Sequence, residues 1–551
     1  MLKKLSILFL HKTLFFDIIL WLRINIERYM FKMIDVLDRL EYFAENAPDR
    51  VAFTSADGQI NYTQLCEASK DFAKKIESLR LEGKIDVKSP IAVYGHKEPQ
   101  MIISFIGCAL AGHPYCPLDR SMPDSRIEDI LRAIGTRVWV KCENGEGKIL
   151  ELDPAQLDEP GGFSDDSNDV MYIIFTSGST GKPKGVEVTK QNLGNFLEWM
   201  TGVGTPIEEK EGEVFLNQAP YSFDLSVMDT YTALASGATI ASLDKGTMSN
   251  AASTMEFLKV QNVNYWISTP SFVDMMLAEK DFNSEKYPDI KVFFFCGERL
   301  TKTTANKLIK AFPHSKVINT YGPTESTVAI SSVEIKNEHI NEDDELPVGL
   351  IKPGTKVFLQ REDGIIIDEF NQNIAEESGG RENAGPKKTD VGEILIEGNT
   401  VSKGYFKMPE KTAAAFDLIK LKNGEVRRIY HTGDLGYFKE GMLYCIGRTD
   451  LQVKVHGYRM EIGDIEANIL LKENVEAVCV VPKRKDGKIR SLVAFVVAPS
   501  VSGSFDDAKD IKRHLKELLP EYMVPKKIKF IDKLPMTSNG KVDRKTLEGM
   551  A

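Results

Sequence analysis

Val170-Met171-Tyr172-Ile173-Ile174-Phe175 runs straight into Thr176-Ser177-Gly178-Ser179-Thr180-Gly181-Lys182-Pro183-Lys184-Gly185. The apolar run reads as a buried strand. The loop after it carries four hydroxyls, three glycines and two lysines. Glycines let backbone N–H groups approach an anion closely, and the hydroxyls and lysines add donors, so the segment reads as a phosphate cradle. It is not a Walker A loop, in which four residues separate the first Gly from the Gly-Lys pair and a Ser or Thr follows the Lys. Here Pro183 follows Lys182 and the glycines lie closer together. A Gly/Ser linker between domains is the plainer reading of such a loop, and the buried strand in front of it argues against that.

Outward from this loop the chain alternates short β-rich runs with helical patterns. Val51–Phe53 precedes a helix near Tyr62–Leu79, and Ile91–Tyr94 precedes one near Met101–Ala111. The rhythm continues through Ile240–Leu243, Tyr265–Ser268, Val292–Phe295 and Val317–Thr320, as expected of an α/β sheet with crossover helices. Between Arg361 and Thr389 the sequence turns polar and acidic, which reads as an exposed hairpin with a lengthened tip. Thr449-Asp450 is a short polar joint. Beyond it, strands near Ala477–Val481 and Leu492–Val497 and a helix near Ile511–Leu518 suit a small α+β domain after a hinge. The expected division is a 1-32 extension, a 33-448 large domain and a 449-551 small mobile domain.

At 551 residues the chain exceeds one ordinary core and predicts two to four domains. A hydrophobic content of 42% with 27% charged residues excludes wholesale disorder. The net charge of -10 argues against nucleic acid as a partner. Seven cysteines without a close C-x-x-C pair indicate neither a disulfide framework nor a zinc site, which fits a cytoplasmic localisation. Met1–Lys32 mixes apolar runs with Lys12, Asp17, Arg23 and Arg28, so no uncharged run approaches a membrane span. Its readings are an interfacial amphipathic helix, a signal peptide, or an extension upstream of a start at Met30 or Met33, with membrane contact not the favoured outcome.

Four more segments offer handles on a nucleotide. In Asn319-Thr320-Tyr321-Gly322-Pro323-Thr324-Glu325 an aromatic ring can stack on a base and a carboxylate can hold Mg²⁺ through oxygen, or the segment is a simple Gly-Pro turn. Tyr430-His431-Thr432-Gly433-Asp434-Leu435-Gly436 places an Asp in a tight Gly-flanked turn, where it can accept from a ribose diol. Gly447-Arg448-Thr449-Asp450 with Lys454-Val455-His456-Gly457-Tyr458-Arg459-Met460-Glu461 supplies fixed cations and a second glycine turn. Pro535–Arg544 holds Lys541 on a turn, where a solvated surface lysine is the alternative.

Together and in this order, the five segments resemble the core motifs of the adenylate-forming (AMP-binding) superfamily, from about Ile34 to the end of the chain. That superfamily includes acyl-CoA synthetases, luciferases and the adenylation domains of nonribosomal peptide synthetases. The resemblance implies an α/β multidomain fold. A large N-terminal domain of packed sheets, helices and a distorted β-barrel would be followed by a small mobile α+β C-terminal domain. It implies ATP and Mg²⁺ as cofactors and attack of a carboxylate on the α-phosphorus. Thr176, Ser177 and Thr180 would hold the β- and γ-phosphates. Asn319, Thr320, Tyr321, Gly322, Pro323 and Thr324 would line the nucleotide, with Tyr321 on adenine. Glu325 would ligate Mg²⁺ and act in catalysis. Asp434 would take the ribose hydroxyls, supported by Arg448, with Cys445, Ile446 and Gly447 beside them. Lys541 would reach the α-phosphate and the substrate carboxylate. In the second half-reaction Lys541 would leave and the Gly457 segment would arrive.

Asn217–Ser226 bears on the carboxylic acid. Asp224 follows an aromatic in an otherwise apolar pocket, where an ammonium would pair it and a fatty acid would leave it buried and alone. A helix N-cap is the alternative for Asp224. Cys296, after Phe293-Phe294-Phe295, would face the substrate side chain and leave room for a small group, or be a small buried hydrophobe. Within the family the wording resembles the branch that activates D-alanine as D-alanyl-adenylate. That branch loads it onto the phosphopantetheine thiol of a D-alanyl carrier protein for teichoic acid esterification. By that resemblance Val328 touches the substrate, as does Lys541. The alternative is a stand-alone adenylation enzyme for another small amino acid in nonribosomal peptide synthesis.

Overall fold

The computed structural model describes residues 33–551 except 144, 153–169, 178–182, 343–344, 369–389, 422–423, 456, 486–487 and 538–541. Thr180, Lys541, residues 1–32 and most of the polar 361–389 stretch therefore lie outside the described residues.

The strands near the middle of the chain run side by side because their sequences are apolar on both faces. Val214–Asn217, Tyr265–Ser268, Val292–Phe295 and Lys316–Tyr321 are consecutive parallel neighbours in a nine-stranded sheet. Phe215, Trp266, Phe293 and Phe294 within them are wholly buried, as parallel strands covered by crossover helices require. The register aligns Ser268 with Phe295 and Phe295 with Asn319. Four chain segments thus leave the sheet at one edge, towards Asp224, Thr269, Cys296 and Gly322. The carboxyl edge of parallel strands is where open α/β sheets place ligands.

A seven-stranded sheet holds Val170–Thr176, antiparallel to Lys184–Thr189 with Thr176 opposite Lys184. The Gly-rich loop is therefore the tip of a hairpin and does not open a helix as a Walker A loop does. Helix Leu225–Ser236 is buried along its whole length, its Tyr231 hydroxyl lying 2.6 Å from that of Tyr115 in this second sheet. Gly237 ends it at φ +72°, and a Cβ there would meet Phe43 at 2.4 Å, so only glycine closes this helix without strain.

A third, six-stranded antiparallel sheet includes Thr355–Gln360, Gly392–Gly398, Val426–Lys439 and Met442–Arg448. One sequence expectation is corrected here. Asp434 sits within the long strand Val426–Lys439, and not in a tight turn. Gly433 takes φ +70° and the ladder shifts register nearby, so the glycine bulges the strand instead of reversing it. After Arg448 come the hairpin Gln452–Val455/Tyr458–Glu461 and a three-stranded sheet, Ala477–Lys485, Lys488–Val497 and Lys527–Phe530. Helices Ile462–Leu470 and Phe505–Leu518 pack Ile465, Ile469, Ile511 and Leu515 with this sheet in a core of its own.

Candidate active site

Two cavities meet at the carboxyl edge of the nine-stranded sheet, sharing Cys296, Gly297, Gly322 and Lys454 in their walls. The smaller encloses about 60 Å³, lined by Thr176, Ser177, Asp224, Cys296, Thr324, Val328, Gly457 and Arg459 among others. That is about twice the ~30 Å³ that one water occupies in the liquid, room for a small substituent. The larger, about 330 Å³, is lined by Asn319, Thr320, Tyr321, Asp434, Cys445, Ile446, Gly447 and Arg448 among others. The residues read as nucleotide-binding and those read as substrate-binding thus fall on two adjoining chambers. Pro323 and Gly322 lie at their junction.

In the larger chamber the donors are held by one another. The Tyr321 hydroxyl donates to Asp434 Oδ2 at 2.7 Å, and Arg448 Nη1 donates to Asp434 Oδ1 at 2.5 Å. Burial and the neighbouring Asp434 raise the Tyr321 phenol well above its usual range. Burial alone would lower the Arg448 guanidinium, yet Asp450 and Asp434 hold it above its usual range. Asn319 Nδ2 donates to the Pro347 carbonyl at 2.8 Å and Thr320 to the Phe295 carbonyl at 2.8 Å, which ties this strand end to its neighbours. Burial pushes the Cys445 thiol up to about 12, so it lines the wall as a neutral group.

The smaller chamber contains two carboxylates in different states. Glu325 is fully buried, accepts from Arg459 Nη1 at 2.5 Å and from the Tyr405 hydroxyl at 2.9 Å, and has Lys184 Nζ 3.7 Å away. Burial would raise its carboxyl, but Arg459 and Lys184 hold it well below the usual carboxylate range. Asp224 occupies the N-cap position of helix Leu225–Ser236 and makes no capping bond. Its carboxyl is raised by burial, against the Thr324 hydroxyl and the more distant Lys454 and Arg459. The N-cap reading thus has the position right and the role wrong, because the side chain faces the chamber wall shared with Cys296 and Val328. Burial raises the Cys296 thiol as well, and its Sγ lies 3.6 Å from the Val328 carbonyl, so it packs as a small neutral group.

The Gly457 hairpin reaches into this chamber. Ser177 Oγ accepts from the Glu461 amide at 3.1 Å and donates to the Arg459 carbonyl at 3.3 Å, so this hydroxyl contacts the hairpin in the described arrangement.

The sequence from residue 40 to 406 matches the model for the AMP-binding enzyme family, and residues 464–541 match the AMP-binding enzyme C-terminal domain. The chain belongs to the AMP-binding enzyme family. Among relatives of this AMP-binding enzyme is the D-alanine–D-alanyl carrier protein ligase of Bacillus velezensis, 38% identical over 93% of this chain and 98% of the relative. The protein of the same name from Staphylococcus epidermidis is 37% identical over 94% and 99%. Among solved structures, the Vibrio cholerae adenylation domain AlmE, in complex with glycyl-adenosine-5'-phosphate, superposes with a TM-score of 0.74 at 21% identity, covering 94% of this chain and 96% of that one. The adenylation and carrier protein PA1221 gives 0.73 at 22%, covering 94% and 84%. These likenesses show the α/β adenylation fold with its large sheeted domain and smaller C-terminal domain.

Sequence reading of this AMP-binding enzyme missed three residues that build the site. Tyr405 ends a two-residue strand that carries no motif, yet its hydroxyl is a partner of Glu325. Lys97 is wholly buried, donates to Asn217 Oδ1 at 2.5 Å and to the Ala219 carbonyl at 2.6 Å, and so anchors the segment that leads to Asp224. Burial lowers its amine to about 8 and raises Asp229, the other partner of Asn217, to about 7. Glu298 was quoted as part of a strand end, without a role. In a sequence, His96-Lys97-Glu98 looks like a solvated charged run, so no signal marks Lys97 as interior.

Proposed function

We propose that this enzyme activates D-alanine with ATP and transfers it to the phosphopantetheine thiol of a D-alanyl carrier protein, for D-alanylation of teichoic acid in the cytoplasm. The observation that carries the reading is the pairing of near full-length similarity to D-alanine–D-alanyl carrier protein ligases with a small chamber walled by Asp224, Cys296 and Val328. Asp224, raised by burial and without a cap bond, pairs with the substrate ammonium. Cys296 and Val328 leave space for a methyl group.

In the first step a carboxylate oxygen of D-alanine bonds to the α-phosphorus, the bond to the bridging oxygen breaks, and pyrophosphate departs with that electron pair. An anion attacks an anion, so fixed positive charge is the main catalytic resource. Thr176, Ser177 and Thr180 hold the outer phosphates, Tyr321 the adenine, Asp434 with Arg448 the ribose, and Lys541 the α-phosphate and the substrate carboxylate. Glu325 fits a Mg²⁺ ligand, being a buried, ionised oxygen donor facing the chamber. The ion neutralises charge on the phosphates when bound. In the second step the thiol sulfur bonds to the acyl carbon and AMP leaves. Residues 33–448 act as the large domain and 449–551 as the small mobile one, turning about the joint at Asp450. The described arrangement, with the Gly457 turn against the chamber and Arg459 on Glu325, suits this second step.

The test is amino-acid-dependent exchange of labelled pyrophosphate into ATP with D-alanine, L-alanine, glycine and D-serine. A D-alanine preference is expected. Preference for another amino acid would keep the adenylation chemistry and replace the substrate, as in a stand-alone peptide-synthesis enzyme, and absence of exchange would overturn the reading.

A further inference from the structure

Helix Pro270–Met276 leaves the nine-stranded sheet beside the chambers and meets the small domain at both of its ends. At its first turn, Glu298 Oε2 accepts from the Ser271 amide at 3.1 Å, while Glu298 Oε1 accepts from the Gly457 amide at 2.8 Å. One carboxylate therefore bridges the start of this helix and the tip of the small-domain hairpin. The fit around that tip is close: Gly457 stands at φ +85°, and a Cβ on it would lie 2.2 Å from Thr269 Cγ2.

A turn further along, Asp274 pairs with Lys488 of strand Lys488–Val497. Thr304 Oγ1 donates to Asp274 Oδ1 at 2.7 Å and accepts from Lys488 Nζ at 2.9 Å, which closes a three-membered network. The Lys488 side chain is only 10% exposed, so this pair is shielded from water and is not a loose surface bridge. Two separate pieces of the small domain, a hairpin tip and a strand of its three-stranded sheet, are thus tied to one short helix.

Resting on the two-step reading above, we propose that Glu298 and Asp274 are positioning residues for transfer to the thiol. Together they dock the small domain through Gly457 and Lys488 in the one orientation that presents the Gly457 turn to the chamber. Two anchors are the minimum that fixes both placement and rotation of a hinged body. The Glu298 anchor sets how deeply the hairpin enters, and the Asp274–Lys488 anchor, on a different element, sets the rotation about it. Adenylation, which calls for Lys541 in that place, has no use for either anchor.

The experiment measures both half-reactions and hairpin protection on the full chain. Asp274→Asn and Lys488→Met should leave D-alanine-dependent pyrophosphate exchange within about 2-fold of the parent, and slow single-turnover loading of the phosphopantetheinylated carrier about 10-fold, the scale of one shielded charged bond. Glu298→Gln should slow loading at least as much. The charge exchange Asp274→Lys with Lys488→Glu should recover most of the loading rate, a result that mere loss of stability would not produce. Amide hydrogen exchange of residues 452–461, which needs no substrate, should rise about 10-fold in Lys488→Met. Equal loss of exchange and loading, unchanged loading in Lys488→Met, or unchanged hairpin protection would each overturn the docking role. If the parent exchanges no pyrophosphate with D-alanine yet hairpin protection falls in Lys488→Met, the substrate reading fails and the docking contact stands.

Discussion

Glu325 and Asp224 share one chamber and are held in opposite ways. Glu325 is saturated by the protein: Arg459, Tyr405 and Lys184 surround a carboxylate that has no exposure, and its proton affinity is driven far down. Asp224 is left short of partners, and burial drives its affinity up. A buried charge that its own chain satisfies serves assembly or exchange of one cation for another, whereas one left unsatisfied is kept for a ligand that brings the missing charge. The contrast also separates the two stages of the reaction. Arg459 belongs to the small domain, so the state of Glu325 depends on where that domain sits, while Asp224 and its neighbours Cys296 and Val328 belong to the large domain.

The largest test of this contrast is Glu325→Gln. It strands the Arg459 guanidinium beside an amide and removes the charge expected to hold Mg²⁺, so pyrophosphate exchange should fall at least ~10²-fold, the scale of losing one preorganised group. Breaking a buried pair by removing one partner also costs about 3–5 kcal/mol, so the thermal midpoint should drop; a variant with parental exchange would remove Glu325 from the chemistry. Next, Asp224→Asn keeps the shape and loses the charge, and the KM for D-alanine should rise about 10²-fold, equivalent to roughly 3 kcal/mol for a charged hydrogen bond, with the KM for ATP little changed. A parallel rise in both would show that Asp224 only supports the fold.

The third test uses acid. A carboxyl whose proton affinity is raised by burial is neutralised earlier on acidification than an ordinary one, so Asp224 loses its hold on an ammonium as pH falls. The KM for D-alanine should therefore climb between about pH 7 and pH 5, and the climb should flatten in Asp224→Asn. Glu325, shifted the other way, should stay ionised throughout that window. The smallest effect is expected at Cys296. Cys296→Ala enlarges the chamber by little more than one atom, worth about 1–3 kcal/mol in discrimination, so D-serine and D-2-aminobutyrate should gain on D-alanine by roughly 10-fold in exchange. An unaltered preference would move the specificity wall elsewhere.

Strand positions were well legible from the chain. Tyr265–Ser268 and Val292–Phe295 are strands with the expected bounds, since a run apolar on both faces has few other places to go. Asp434 was legible as a site residue and illegible as to its setting, because Gly433 can equally turn or bulge a strand and only pairing with flanking strands decides. Thr176, Ser177, Asp224, Cys296 and Val328 come to one chamber, and Asn319–Tyr321 with Asp434 and Cys445–Arg448 to the next. Lys97, Tyr405 and Glu298 stayed invisible. Each acts through partners more than 70 positions away, at separations of 120, 80 and 159 residues.

What the sequence alone determined is the class of chemistry and the family, because glycines, hydroxyls and fixed cations at set spacings form local structures whose affinity for a polyphosphate is a property of the segment itself. What only the tertiary structure decided is the charge state of each group. Whether Asp224 caps a helix or waits for an ammonium, and whether Glu325 faces a metal or Arg459, depends on burial and on neighbours brought from distant strands and from the small domain. Proton affinity follows the local dielectric and the nearest charges, and both are set by packing and not by position in the chain.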